Sequence, residues 1–225
     1  MFLKRIKLVD RLLPAYTRGE EWFNAISHMV GGLFGIVALV WSVLYSALFS
    51  DGFALASSVV YGFSLVLLYT ISSVYHALRP PLAKKVMQVL DHCAIYILIA
   101  GTYTPILLCR VRTQYSTQAW VLFGVIWGIA LLAMTLNAID LRAFRVFSMV
   151  CYIGMGWAIV FALKSVLATV EAAGFWWLLA GGIAYTIGAV LYGIGARKKW
   201  FHSVFHIFVV IGSVCHFVTI IAFVL

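Results

Sequence analysis

The chain has 225 residues, of which 64% are hydrophobic and 10% charged, and its mean hydropathy of +1.06 excludes an ordinary soluble globular domain. A formal net charge of +9 does not indicate a nucleic-acid partner, because the basic residues fall in short loops and not along one face or groove. The four cysteines, Cys93, Cys109, Cys151 and Cys215, lie in apolar segments without CxxC spacing, so neither a disulfide framework nor a thiolate zinc site is indicated.

Residues 1–22 carry Lys4, Arg5, Lys7, Arg11, Arg18, Glu20 and Glu21, spaced too closely to leave the apolar core of a cleavable signal peptide. The expectation is a cytoplasmic amphipathic leader over 1–22, followed by one membrane domain over 23–225. A spanning helix needs about 20 mostly apolar residues. Seven such runs follow, at 23–48, 53–77, 87–109, 116–137, 146–168, 174–195 and 201–224, so the predicted fold is an all-α seven-transmembrane helix bundle. Pro105 alone of the four prolines falls inside a run, and Gly31/Gly35 and Gly124/Gly128 have the spacing that lets helices approach closely. Loop charge sets the orientation. Lys4, Arg5, Lys7, Arg11 and Arg18, then Arg79, Lys84 and Lys85, then Arg142 and Arg145, then Arg197, Lys198 and Lys199 share one side, leaving only Arg110, Arg112 and Lys164 on the other. That asymmetry predicts an odd number of spans with the N-terminus inside and the C-terminus outside.

Ionisable side chains within spans are costly and face the bundle interior. His28 in the first turns of span 1, His76 closing span 2, Asp91 and His92 opening span 3, and His202 and His206 opening span 7 all fall in one slab at the cytoplasmic ends. His202 and His206 are one turn apart on one helix face, about 40° from each other, which is chelate geometry. Neutral imidazole suits zinc, and His76 as a third ligand would leave a coordination position open for water. Ser72 lies one turn from His76 on the same face, where its hydroxyl can meet a substrate carbonyl, and Asp91 is placed to act as general base. Other readings stand beside these. Interfacial histidines hydrogen-bond carbonyls, an aspartate at a helix start favours the positive end of the dipole, and an intramembrane serine donates to its own helix. His216, ten residues beyond His206, lies about 15 Å deeper; it is expected to be an interior hydrogen-bonding residue or a wall of a substrate cavity. Trp22, Trp120, Trp176, Trp177 and Trp200 near span ends read as interfacial belts.

The motifs Glu21-x-x-Asn24-x-x-Ser27-His28-x-x-Gly31, Ser72-x-x-x-His76, Leu90-Asp91-His92-Cys93-Ala94-Ile95 and His202-x-x-x-His206, with a later His216-Phe217, resemble the haemolysin III branch of the progestin and adipoQ receptor family. The resemblance runs from about residue 20 to the C-terminus, and Ala100-Gly101-Thr102-Tyr103-Thr104-Pro105 looks like the bacterial members. It implies a bacterial inner-membrane protein with an intramembrane Zn2+ near the cytoplasmic face, held by His76, His202 and His206. It also implies Asp91 and Ser72 at the site and a kinship with membrane hydrolases of the ceramidase kind; Glu21, Asn24 and His28 are expected to hydrogen-bond locally. The chain lacks the extended N-terminal region of the adiponectin receptors, so hormone reception is not implied. The leading expectation is zinc-dependent hydrolysis of an amide or ester bond of a membrane lipid. A regulator of membrane homeostasis with a structural zinc, and a pore or cytolysin, are the alternatives.

Overall fold

A computed structural model describes residues 7–195 and 198–225; Lys4, Arg5 and Arg197, counted above toward orientation, lie outside the described residues. Seven helices are long and apolar enough to cross a membrane: α1 (Arg18–Phe49), α2 (Gly52–Ala77), α3 (Pro81–Gln114), α4 (Ser116–Asp140), α5 (Arg145–Thr169), α6 (Ala172–Gly195) and α7 (Phe201–Val224). The expected all-helical, seven-span bundle is thus what the chain forms. The helices outrun the apolar stretches. α1 begins at Arg18 because Thr17 and Glu20 make a capping box, the Thr17 hydroxyl accepting from the Glu20 amide and the Glu20 carboxylate accepting from the Thr17 amide. α3 begins at Pro81, where proline suits the first helical turn.

This early start corrects one expectation. Asp91 and His92 do not open α3 but lie in its third turn, beyond the reach of an N-terminal dipole, so that reading of Asp91 is dropped.

α3 is the central helix, with 72% of its apolar window buried where no other span exceeds 50%. One apolar cluster joins it to α4 and α5 through Tyr103, Leu107 and Ile126, and a second joins it to α1, α2 and α7 through Tyr61, Leu65 and Val209. Just after Pro105, which lacks the amide a regular helix needs, the backbone widens into a π-helical stretch over Ile106–Val111. α1 closes on α2 at two glycines: a Cβ on Gly31 would come within 2.5 Å of the Tyr69 ring, and one on Gly35 within 3.2 Å of the Val66 backbone. Gly124 and Gly128 behave differently. Among the described residues nothing approaches within 4 Å of a Cβ at either, so this pair makes no close helix crossing there. α5 is interrupted by a 3-10 segment, Ala158–Ala162, midway along its length, and Gly156 and Trp157 just before it line a cavity inside the bundle.

Candidate metal centre and its cavity

Seven spans joined by short turns bring the start of α1, the end of α2 and the start of α7 to the same end of the bundle. There the side chains of His76, His202 and His206 converge, each with a ring nitrogen within 4.8 Å of the others. The Nε2 atoms of His206 and His202 are 3.1 Å apart, and those of His202 and His76 3.4 Å. Ligands about 2.0–2.1 Å from a tetrahedral zinc sit roughly 3.3 Å from one another, so the donor set and its spacing fit one such ion. All three imidazoles are buried, at 3%, 8% and 1% relative exposure.

Glu21 fixes the chemistry of this cluster. Its Oε2 lies 2.7 Å from His76 Nδ1, and since a carboxylate only accepts, Nδ1 donates and the His76 lone pair is left on Nε2, the atom turned toward His202. The other oxygen, Oε1, meets Lys84 Nζ at 2.8 Å, and the same ammonium donates to the Leu78 carbonyl at 3.2 Å where α2 ends. A carboxylate shared by an ammonium and an imidazole is held ionised and aligned.

Glu20 acts on the far side of the cluster. Its Oε1 accepts from the Trp200 amide at 2.6 Å across a separation of 180 residues. Trp200 has φ 67°, a left-handed conformation disfavoured for a bulky residue, and this bond stabilises the turn that launches α7 and aims His202. Tyr16, just before α1, stacks on His202 with ring centroids 4.8 Å apart. Burial pushes its phenol well above the ordinary tyrosine value, so the hydroxyl stays protonated and able to donate.

The remaining histidines divide by role. His28 stacks face to face on His206 at 3.7 Å between centroids, presenting a ring face and not a nitrogen to its neighbour. His92 donates from Nδ1 to the Gln88 carbonyl at 2.8 Å and accepts at Nε2 from the Tyr192 hydroxyl at 3.0 Å. Neither falls within the group of three. His216 lines the deep part of the cavity.

Asp91 and Ser72 line that same cavity, of about 170 Å³, together with Tyr16, Tyr75, His202 and His206. Ser72 is buried, whereas 14% of the Asp91 side chain remains exposed. Of the residues the sequence singled out, the structure brings the three imidazoles together and places the serine and the aspartate on the cavity wall. Sequence reasoning assigned Glu21 only to local hydrogen bonding, and it missed Tyr16, Glu20 and Lys84 at the site. For Glu20 the available signal was the Thr17-x-x-Glu20 capping pattern; for Tyr16 and Lys84 the sequence carries none.

The model of the family described as Haemolysin-III related matches residues 16–217. The chain is 37% identical over 206 residues to "Hemolysin-3" of Bacillus cereus, covering 92% of each protein. It is 25% identical to the human "Monocyte to macrophage differentiation factor", covering 82% of this chain and 77% of that protein. To the "Adiponectin receptor protein" of Drosophila melanogaster it is 25% identical, over 59% of this chain and 34% of that protein. A match reaching from Tyr16, which stacks on His202, to Phe217 takes in six spans, most of the seventh and every residue of the candidate centre: the chain belongs to the haemolysin-III related family of multi-pass membrane proteins.

Proposed function

We propose that this protein is a zinc-dependent hydrolase of an amide or ester bond in a membrane lipid, with its centre near the cytoplasmic face. The observation that carries the reading is the meeting of three imidazole nitrogens, with two of those residues, His202 and His206, on the wall of one cavity beside a carboxylate, Asp91, and a hydroxyl, Ser72. His76, His202 and His206 would hold the zinc, which supplies a Lewis acid for a carbonyl and lowers the pKa of coordinated water toward neutrality.

The chain's own residues do the rest. Glu21 keeps His76 in the tautomer that presents Nε2, and Lys84 keeps Glu21 charged. Asp91 accepts the proton from the attacking water and returns it to the leaving amine or alcohol. Ser72 donates its hydroxyl to the carbonyl oxygen as negative charge grows there. Tyr16 and Pro14 line the cavity together with His202 and His206 and would limit bulk water around the scissile bond. A membrane lipid is the fitting substrate because the walls beyond the histidines are apolar and lie within the bundle.

A second reading, a membrane regulator with a structural zinc, is favoured by the burial of the three imidazoles and the stacking of Tyr16 on His202. One experiment separates the two. Purified wild-type protein is expected to carry about one zinc per chain and to release product from a panel of N-acyl and ester lipids. Asp91→Asn is expected to keep the zinc and the fold while losing roughly 10²–10⁴-fold in rate. Absence of zinc from the wild type, or full turnover by Asp91→Asn, removes the hydrolase reading; zinc without turnover of any lipid favours the regulator.

A further inference from the structure

The cavity does not stop at the histidine cluster but continues along α7 to His216, ten residues and about 15 Å beyond His206. The walls on the way are apolar, among them Leu68, Ile95, Leu98 and Val209. At the far end one polar atom stands out. His216 Nε2 donates to the Leu178 carbonyl at 3.1 Å, which leaves the lone pair of a neutral ring on Nδ1, and Nδ1 is buried without a partner. The ring packs close against Gly181, where only the absence of a side chain leaves it room, and Tyr185 meets it edge-on with centroids 5.3 Å apart.

Neighbouring polar groups are already engaged. The Tyr185 hydroxyl is 2.7 Å from Ser213 Oγ, Trp157 Nε1 donates to Thr186 Oγ1 at 3.0 Å, and the Tyr103 hydroxyl donates to the Gly156 carbonyl at 3.0 Å. An acceptor left unmatched in an apolar channel is costly, and what satisfies it must bring a donor from outside the protein.

We infer that the cavity binds a long acyl chain bearing a hydroxyl in its distal half, and that this hydroxyl donates to His216 Nδ1. The inference rests on the proposed function in one respect only: the carbonyl end of the chain is taken to lie at the histidine cluster. The span from there, about 15 Å, places the hydroxyl far along the chain and excludes one beside the carbonyl. Because Nδ1 accepts, the recognised group is a donor, so an oxo or a second carboxylate group in that position is rejected.

The test compares octadecanoic, 2-hydroxyoctadecanoic and 12-hydroxyoctadecanoic acids binding to the purified full-length protein in detergent micelles, by calorimetry, in the wild type and in His216→Leu. The wild type is expected to favour the 12-hydroxy acid over both others by roughly 5–10-fold, the worth of one buried hydrogen bond. His216→Leu is expected to lose that preference, binding the three acids with affinities in a ratio near one. Equal affinities for the three acids in the wild type, as when an ordered water already satisfies Nδ1, would overturn the inference, and so would a preference that survives in His216→Leu. The three-acid comparison on the wild type decides the matter even if the variant fails to fold. Failure here is distinguishable from failure of the hydrolase reading, since binding ratios are read without turnover and the Asp91→Asn rates without hydroxylated chains.

Discussion

At the scale of single residues, Glu21 is the most informative side chain in the molecule. Its two oxygens reach His76 at 2.7 Å and Lys84 at 2.8 Å, so it both sets the tautomer of a proposed zinc ligand and depends on a cation for its own charge. Removing the charge but not the shape isolates this role. Glu21→Gln is expected to fold and insert as the wild type does while its zinc affinity, measured by chelator competition, falls roughly 10–100-fold; unchanged affinity would mean that His76 is oriented by the bundle alone. The three imidazoles were legible in the sequence because a helical i,i+4 pair and a depth argument need only local spacing and span order. Glu21 was legible as a motif residue but not as a partner of His76, since its contact crosses 55 positions. Tyr16 reads in sequence as part of a polar leader; only the packing of that leader beneath α7 turns it into a lining residue. Asp91 was found for its burial cost, yet its place in the third turn of α3 was hidden, because Lys84 and Lys85 mask the true start of the helix from an apolar-run search.

Among helices, the two glycine pairs show how far spacing goes as a guide. Both satisfy the small-xxx-small pattern, but only Gly31 and Gly35 lie in a tight crossing, that of α1 against α2. Gly31→Ala is therefore expected to destabilise the protein by about 1–3 kcal/mol through overpacking against Tyr69, read as a lower Tm in micelles. Gly124→Ala meets open space and is expected to be neutral or stabilising by up to about 1 kcal/mol from helix propensity. An equal loss at both positions would count against the assignment of the crossing. Which glycines meet a neighbour is decided by helix rotation about its own axis, and in a span that is apolar all round no hydrophobic stripe reports that rotation. The existence and order of the spans carried through from hydropathy for the complementary reason: length and apolarity suffice, and rotation is irrelevant to them. The interruption of α5 by its 3-10 segment left no trace either, for Ala158–Ala162 is as apolar as any helical stretch around it.

For the whole molecule, loop charge makes a definite forecast of which way the bundle faces. A cysteine introduced by Arg79→Cys, in a background without Cys93, Cys109, Cys151 and Cys215, is expected to react with a membrane-impermeant maleimide only in inside-out vesicles. One introduced by Asp51→Cys is expected to react from the outside of intact cells. The reverse pattern would place the histidine cluster beneath the outer leaflet and remove the proposed cytoplasmic access. Finally, the bond between Glu20 and the Trp200 amide joins the opening turn of the first span to the turn that launches the last. Two of the three imidazoles sit on that last helix, so during membrane insertion the earlier spans enter with His76 and Glu21 facing each other but with no partner ligands to meet. On the proposed zinc reading, ion capture would be the closing event of biogenesis, and a chain stalled before α7 would lack two of the three imidazoles of the candidate site.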